Sequence, residues 1–379
     1  MIIQIDGTNT LNKGAELMLI AIIEQIEKKF PDALVVYNSN DIGEKNIQLD
    51  TSLVLKQRFW LKKARIPVAI LHRLKLPYTF FTSKHPLKNV DLVLDGAGFQ
   101  FSDQWNYSKD RLLTLENYYK NLKHNGTKIV LLPQALGPFD TKSGKDSMKI
   151  VNEFTDVIIA RERVSFEYAV QAGVNKNKLW KYSDFTLLTK GVLLEKFEYL
   201  KGKVCVVPNK KMVTHTNANS NDYLRFLKNV ILEFEKQGQN VFLLNHEGLG
   251  DLDICRQINN LVDNRLDIIT GLNAKEVKGV IGASYVTVSS RFHGVASSLN
   301  QGVPCLATSW NHKYEMLFED FGQKDRLINV NDDWEITVGR IKSLLKNHGK
   351  IKTTLIENKL RVSVEIERMW ADIWSKVHL

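Results

Sequence analysis

The stretch Val286-Thr287-Val288-Ser289-Ser290-Arg291-Phe292-His293-Gly294-Val295-Ala296-Ser297-Ser298-Leu299-Asn300-Gln301-Gly302-Val303-Pro304 decides how the chain is read. A short β-branched run leads into a polar turn, a helix opened by small residues, and a Gly-Val-Pro exit into another strand. Such a turn leaves backbone N–H groups at the mouth of a helix, where the dipole favours an anion. Arg291 adds a planar fork matched to carboxylate or phosphate. His293 adds a group that changes protonation near neutral pH. The plain alternative is a surface arginine and a capping histidine beside an ordinary strand-to-helix turn.

Outward from this stretch, strands and helices alternate along the whole chain. Ile2–Asp6 reads as a first strand, leaving through Gly7 and Asn12-Lys13-Gly14 into a helix from about Ala15 to Phe30. Strands are expected at Leu34–Tyr37, Val90–Asp95, Lys128–Leu132 and Val157–Ala160, with a helix at Lys109–Lys123 and a rigid loop over residues 133–138. Arg161 falls where a strand's carboxyl end opens, while Arg163 reads as a surface residue on the following helix. A second series begins near Lys203, with strands at Val204–Val207, Val241–Asn245 and Pro304–Thr308 and helices at Asp222–Lys236, Asp251–Leu261, Ala274–Ile281 and Lys313–Phe321. A last amphipathic segment runs from about Thr353 to Trp374. Alternation of this kind implies parallel sheets wound on both faces. The expected architecture is therefore α/β, with two Rossmann-like doubly wound domains, 1–190 and 200–379, facing a cleft, and the last helix packing back on the first.

Composition narrows the class. At 379 residues, 44% hydrophobic and 25% charged, the chain is an ordinary globular protein with room for two cores. The N-terminus has no basic leader and no apolar run is long enough to span a bilayer, so a cytoplasmic protein is expected. Cys205, Cys255 and Cys305 are odd in number and widely spaced, which suggests neither disulfides nor a metal site. The net charge of +10 is concentrated between Asp50 and Asp91, where nine lysines and arginines meet no acidic residue. Phe59, Trp60, Tyr78, Phe80 and Phe81 share that window, residues 56–88. Basic and aromatic residues mixed this way suit an anionic membrane surface, here the inner face of the cell membrane. Nucleic acid is the rival partner and is not expected; a solvated loop is the plain reading.

Several motifs in order resemble the polysaccharide pyruvyl transferase family. They are Asn12-Lys13-Gly14, Asp91 to Gly98 with Asp95, Gly96 and Gly98, Leu132 to Pro138 with Gln134, Arg161 with Ser165, and Ser183-Asp184. Ser290-Arg291-Phe292-His293-Gly294, Gly302-Val303-Pro304 and Lys313 complete the set. The resemblance implies two Rossmann-like domains arranged as in GT-B glycosyltransferases, the first on the acceptor side and the second on the donor side. It implies transfer of enolpyruvate from phosphoenolpyruvate onto two hydroxyls of a saccharide, free or lipid-linked, to form a pyruvate ketal with release of phosphate. Phosphoenolpyruvate is then a co-substrate, and no cofactor or metal is implied. By motif, Arg161, Arg291 and His293 would contact phosphoenolpyruvate. Asn12, Lys13, Gly14, Glu16, Asp95, Gly96, Gly98, Gln134, Ser290, Gly294 and Lys313 would line the substrates. The chain departs from the family where Ala15 replaces a usual aspartate, with Glu16 beside it, and at Gly96-Ala97-Gly98-Phe99.

The chemistry asks for the same groups. Ketal formation from an enol phosphate needs a proton for the methylene carbon, a base for the hydroxyl, and cations for a carboxylate and a departing phosphate. Arg161 and Arg291, one from each domain, would clamp the two anionic ends. His293 serves as donor or base. Glu16 also reads as a first-turn helix acid and Asp95 as a turn stabiliser. Two rivals stand: a GT-B nucleotide-sugar glycosyltransferase, for which Asn300 and Gln301 replace the usual ribose-binding glutamate, and a non-catalytic membrane or nucleic-acid binding protein.

Overall fold

The computed structural model describes residues 1–37, 54–57, 90–214, 220–308 and 313–377. Of the basic-aromatic window, everything beyond Gln57 lies outside the described residues, so the membrane expectation lies outside them too. The chain forms two units. One comprises Met1–Thr10, Met18–Phe185 and Arg368–Leu379, the other Leu11–Leu17 and Thr186–Glu367.

Among the described residues the first unit is built on seven strands, β1 (Ile2–Asp6), β2 (Leu34–Tyr37), β3 (Val54–Gln57), β4 (Leu92–Asp95), β5 (Lys128–Gln134), β6 (Val157–Ala160) and β7 (Leu179–Lys181). They pair in the order β3-β2-β1-β4-β5-β6-β7, each pair parallel. Strands β4 and β6 are buried along their whole length, as expected of apolar strands covered on both faces, and β4 ends in the buried Asp95. The helices are α1 (Lys13–Lys29), α2 (Lys109–His124), α3 (Lys142–Phe154) and α4 (Arg163–Gln171). Leu122 of α2 and Met148 and Val151 of α3 join Val93, Ile129, Leu131 and Ile158 in one core. The strand order reverses between β1 and β4, which places the switch point at Asp6 and Asp95.

Strands β3 and β7 add to the expected set, and expectation and observation part at other places in this unit. Strand β5 continues through Pro133 to Gln134 instead of ending in a rigid loop, and the register to β6 slips between Leu131 and Gln134. Proline has no N–H to give the ladder, so the slip occurs where the bond would be missing. Strand β4 starts at Leu92, two residues later than expected. Helix α3 was not anticipated, although Thr141 caps it by accepting from the N–H of Gly144 at 3.1 Å.

The second unit holds β8 (Val204–Val207), β9 (Val241–Leu244), β10 (Ile268–Ile269), β11 (Val286–Ser289) and β12 (Cys305–Ala307). These are parallel in the order β10-β9-β8-β11-β12. Its helices are α5 (Lys211–Thr214), α6 (Ser220–Lys236), α7 (Gly248–Asn260), α8 (Ala274–Ala283), α9 (Phe292–Asn300), α10 (Lys313–Asp320), α11 (Trp334–Lys346) and α12 (His348–Val377). The order reverses between β8 and β11, so the loops leaving β8, β9 and β11 converge. The three cysteines are buried and form no disulfide.

The last helix extends over 30 residues, further than expected at both ends. Its final turns belong to the first unit, where Trp370 stacks on Trp374 at 5.2 Å and meets the edge of Phe185 at 5.9 Å. Trp374 meets Phe30 at 5.4 Å, and the Tyr182 hydroxyl donates to Asp372 at 2.6 Å. Among the described residues no helix is long and apolar enough to cross a membrane.

Candidate active site

In the second unit the turn between β11 and α9 is fixed by hydroxyls. Ser289 Oγ accepts from the N–H of Arg291 at 3.1 Å and donates to its carbonyl at 2.9 Å. Gly294 faces that oxygen, and a Cβ there would come within 2.4 Å of it. The Ser290 hydroxyl lies 2.7 Å from the Tyr223 hydroxyl and accepts from Thr308 at 2.6 Å. The carbonyl of Ser290 accepts from Asn209 at 2.8 Å and from Tyr314 at 3.0 Å. Ser290 and Gly294 are thus frame residues, engaged within the protein.

Arg291 leaves this frame to reach α7. Nε and Nη2 donate to the two oxygens of Asp251 at 2.8 and 2.6 Å, and Nη1 pairs with Glu247. Asp251 also accepts from the N–H of Lys210 at 3.0 Å. Burial pushes Asp251 up to about 7, opposed by Lys210 N–H and Lys211, and pushes Arg291 down to about 10. Each charge is costly alone, and the twofold bond between them favours the charged form of both. The fork expected to meet a ligand already holds two internal carboxylates.

His293, in the first turn of α9, rests on the stretch Asn12-Lys13-Gly14. A Cβ at Gly14 would stand 2.2 Å from its Nδ1. Asn12 caps α1, its Oδ1 accepting from the N–H of Gly14 at 2.8 Å. Glu16 pairs with Lys13 and accepts from the N–H of Ala274, at the start of α8, at 3.2 Å. Its carboxylate thus caps a helix dipole. Lys313 is buried, with its ammonium 5.3 Å from the ring centroid of Phe292.

The first unit gathers the remaining expected residues at the carboxyl ends of β4, β5 and β6. Asp95 Oδ1 accepts from the N–H of Ala97 at 2.9 Å and closes the glycine turn. Burial, then the nearby Asp6, raises Asp95 to about 7. Asp6 accepts from Gln4 and Tyr118. Gly96 leaves no room for a Cβ beside Ile22 and Thr8, at 2.7 and 2.8 Å. Gly98 lies beside Arg161, whose Nη1 is 3.3 Å from Asp184 in a wholly buried pair. Gln134 is fully buried, and neither its Oε1 nor its Nε2 has a partner among the described residues. Glu162 and Ser165 are structural: Glu162 accepts from the N–H of Ser165, whose Oγ accepts from the N–H of Leu136 at 2.7 Å. Arg163 is exposed and pairs with Glu167 at 2.9 Å.

A family model described as polysaccharide pyruvyl transferase matches residues 12–312. The chain belongs to the polysaccharide pyruvyl transferase family. No curated protein matches its sequence significantly. Among solved structures it is similar to Anabaena HepE in complex with UDP and glucose, at 13% identity and TM-score 0.61, covering 99% of this chain and 99% of that chain. It is also similar to S. aureus MnaA with UDP, at 11% identity and TM-score 0.60, covering 100% of this chain and 97% of that chain. A glycosyltransferase from Rickettsia africae gives 12% identity and TM-score 0.60, covering 99% and 98%. These likenesses establish the fold, two parallel-sheet α/β units of GT-B-like type.

Three residues of this polysaccharide pyruvyl transferase family member escape a reading of sequence. Asp251 and Glu247 are spaced four apart at the start of α7, a one-face pairing that periodicity could have flagged. His246 precedes them two residues past the end of β9, buried, with an Nδ1 that has no partner among the described residues. Nothing in Asn245-His246-Glu247 announces that burial.

Proposed function

We propose that the protein transfers the enolpyruvyl group of phosphoenolpyruvate to two hydroxyls of a saccharide, forming a pyruvate ketal and releasing phosphate. The observation that carries the reading is the seating of His293 on Gly14 beside the anchored Arg291, inside the stretch that the family model matches. A proton goes to the methylene carbon, and one hydroxyl oxygen bonds to the adjacent carbon and gives up its proton. The bond from that carbon to the phosphate oxygen breaks, and the second hydroxyl closes the ketal as its proton passes to the departing phosphate. His293 carries a proton, and Lys13 and Lys313 supply positive charge for phosphate and carboxylate. Arg291, held rigid by Asp251, keeps N–H groups beyond those it uses, since a guanidinium has five. Arg161 contacts phosphoenolpyruvate by the family motif. The unpartnered Gln134 amide suits a saccharide hydroxyl, which both donates and accepts.

A nucleotide-sugar donor is the second reading, favoured by the UDP named in the HepE and MnaA structures. Against it, Asn300 donates to the carbonyl of Leu187 at 2.7 Å and Gln301 to that of Lys278 at 2.8 Å. Both amides thus spend N–H groups on backbone carbonyls of the protein. Phosphate release from phosphoenolpyruvate across a panel of saccharides decides between them. Acceptor-dependent release that collapses in Arg291→Ala and His293→Ala supports pyruvyl transfer; binding of a nucleotide sugar without phosphoenolpyruvate overturns it. The basic and aromatic residues of 56–88 motivate action at the inner membrane face, on a lipid-linked saccharide. Salt-sensitive sedimentation with anionic liposomes is its test, and absence of binding removes it.

A further inference from the structure

The turn after β11 and the start of α1 bring positive charge around one buried ring. His246 lies two residues past the end of β9 and is only 3% exposed. Burial first, then the positive charges of Arg291, His293 and Lys13, hold its pKa well below the ordinary value. The residue after it, Glu247, and Asp251 on the next turn hold Arg291, so His246 shares its short loop with the anchor of that guanidinium. Its Nδ1 has no partner among the described residues. A buried ring nitrogen without a partner costs free energy comparable to a lost hydrogen bond, and that cost is relieved when a ligand supplies the other half.

We propose that His246 is a substrate-binding residue of this site, a neutral imidazole that donates Nδ1–H to an oxyanion of the bound donor. An oxyanion drawn to these cations only accepts, so a ring nitrogen that bonds it must carry the hydrogen. An uncharged donor in this position orients the anion without repelling the neighbouring cations. Proton transfer then stays with His293. That the anion is phosphoenolpyruvate rests on the reading above; that the subsite takes an oxyanion does not.

The test compares binding of phosphoenolpyruvate and of inorganic phosphate to wild type, His246→Ala and His246→Asn. Asparagine keeps an N–H near the place of Nδ1 but cannot carry a proton. The alanine variant is expected to bind both anions about tenfold or more weakly, and the asparagine variant to recover most of that loss. In 15N spectra the His246 ring of the wild type stays neutral from pH 6 to 8, a range of about two units around the ordinary histidine value, and its signals move on adding phosphate. Unchanged affinity in the alanine variant overturns the proposal, as does a ring that titrates like a free histidine. A wild type that binds neither anion overturns it too. If phosphate binds and phosphoenolpyruvate does not, the reaction reading fails and the His246 subsite is judged on phosphate alone.

Discussion

The imidazole of His293 lies against the α-carbon of Gly14, so closely that a methyl group there would meet three ring atoms at 2.2 to 2.9 Å. The glycine stands in the first turn of α1, where helix propensity favours alanine by about 1 kcal/mol. Overlap with the ring costs about 1–3 kcal/mol and reverses that preference. Gly14→Ala is therefore expected to destabilise the wild type and to stabilise a His293→Ala background. Urea unfolding of the four proteins measures the coupling. An equal effect in both backgrounds would show that the ring is not what requires a glycine.

The two acids around Arg291 are expected to behave differently. Asp251 is fully buried, and Asp251→Asn, which breaks the twofold bond, should cost about 3–5 kcal/mol in denaturant unfolding. Glu247 is 27% exposed, and Glu247→Gln should cost less than about 1 kcal/mol. Removing its charge should also tighten phosphoenolpyruvate binding, by up to about tenfold, the equivalent of about 1.4 kcal/mol. Weaker binding by Glu247→Gln would mean that the carboxylate serves the ligand rather than standing in its place.

Asp95 gives a pH dependence with a defined sign. Its pKa is raised from 3.8 to about 7 in the folded protein, so the native state keeps the proton that the unfolded chain has already lost. Stability from this group is fully present below about pH 4 and is lost as pH rises towards 7. Asp95→Asn preserves the acceptor for Ala97 N–H and cannot ionise. Its thermal midpoint relative to wild type should rise between pH 5 and pH 8, a span of about three units set by the two pKa values. A constant difference across that span would refute the assignment.

Ser165 is expected to act through the loop after β5. Ser165→Ala leaves the buried N–H of Leu136 without its acceptor, at a cost of about 1–3 kcal/mol. Hydrogen exchange should show that amide losing protection ahead of the β5 amides. Uniform loss across the sheet would place the effect elsewhere.

Much of this was legible in sequence because the strands announce themselves. Val157–Ala160 and Val204–Val207 are apolar, β-branched and short, and were expected with the bounds observed. Helix α3 was hidden because its apolar positions, Met148 and Val151, are sparse among polar residues, and strand β10 because two residues carry no period. In the site, the turn around Arg291 and His293 was readable as strand, turn and helix. The partners of Arg291 were not, since Asp251 lies forty residues away and only the sheet order brings α7 to it.

The position of the last helical turns bears on how the chain is made. Phe30 and Phe185 find their ring partners in Trp374 and Trp370. During synthesis both wait until the whole of the other unit has been produced. The sheet emerging first is therefore exposed on that side for most of translation, at about 5–20 residues per second, while the intervening 182 residues from Thr186 to Glu367 are made. A nascent chain stalled before Arg368 should be bound by chaperones and cut by proteases in its first half, although β1 to β7 are already present.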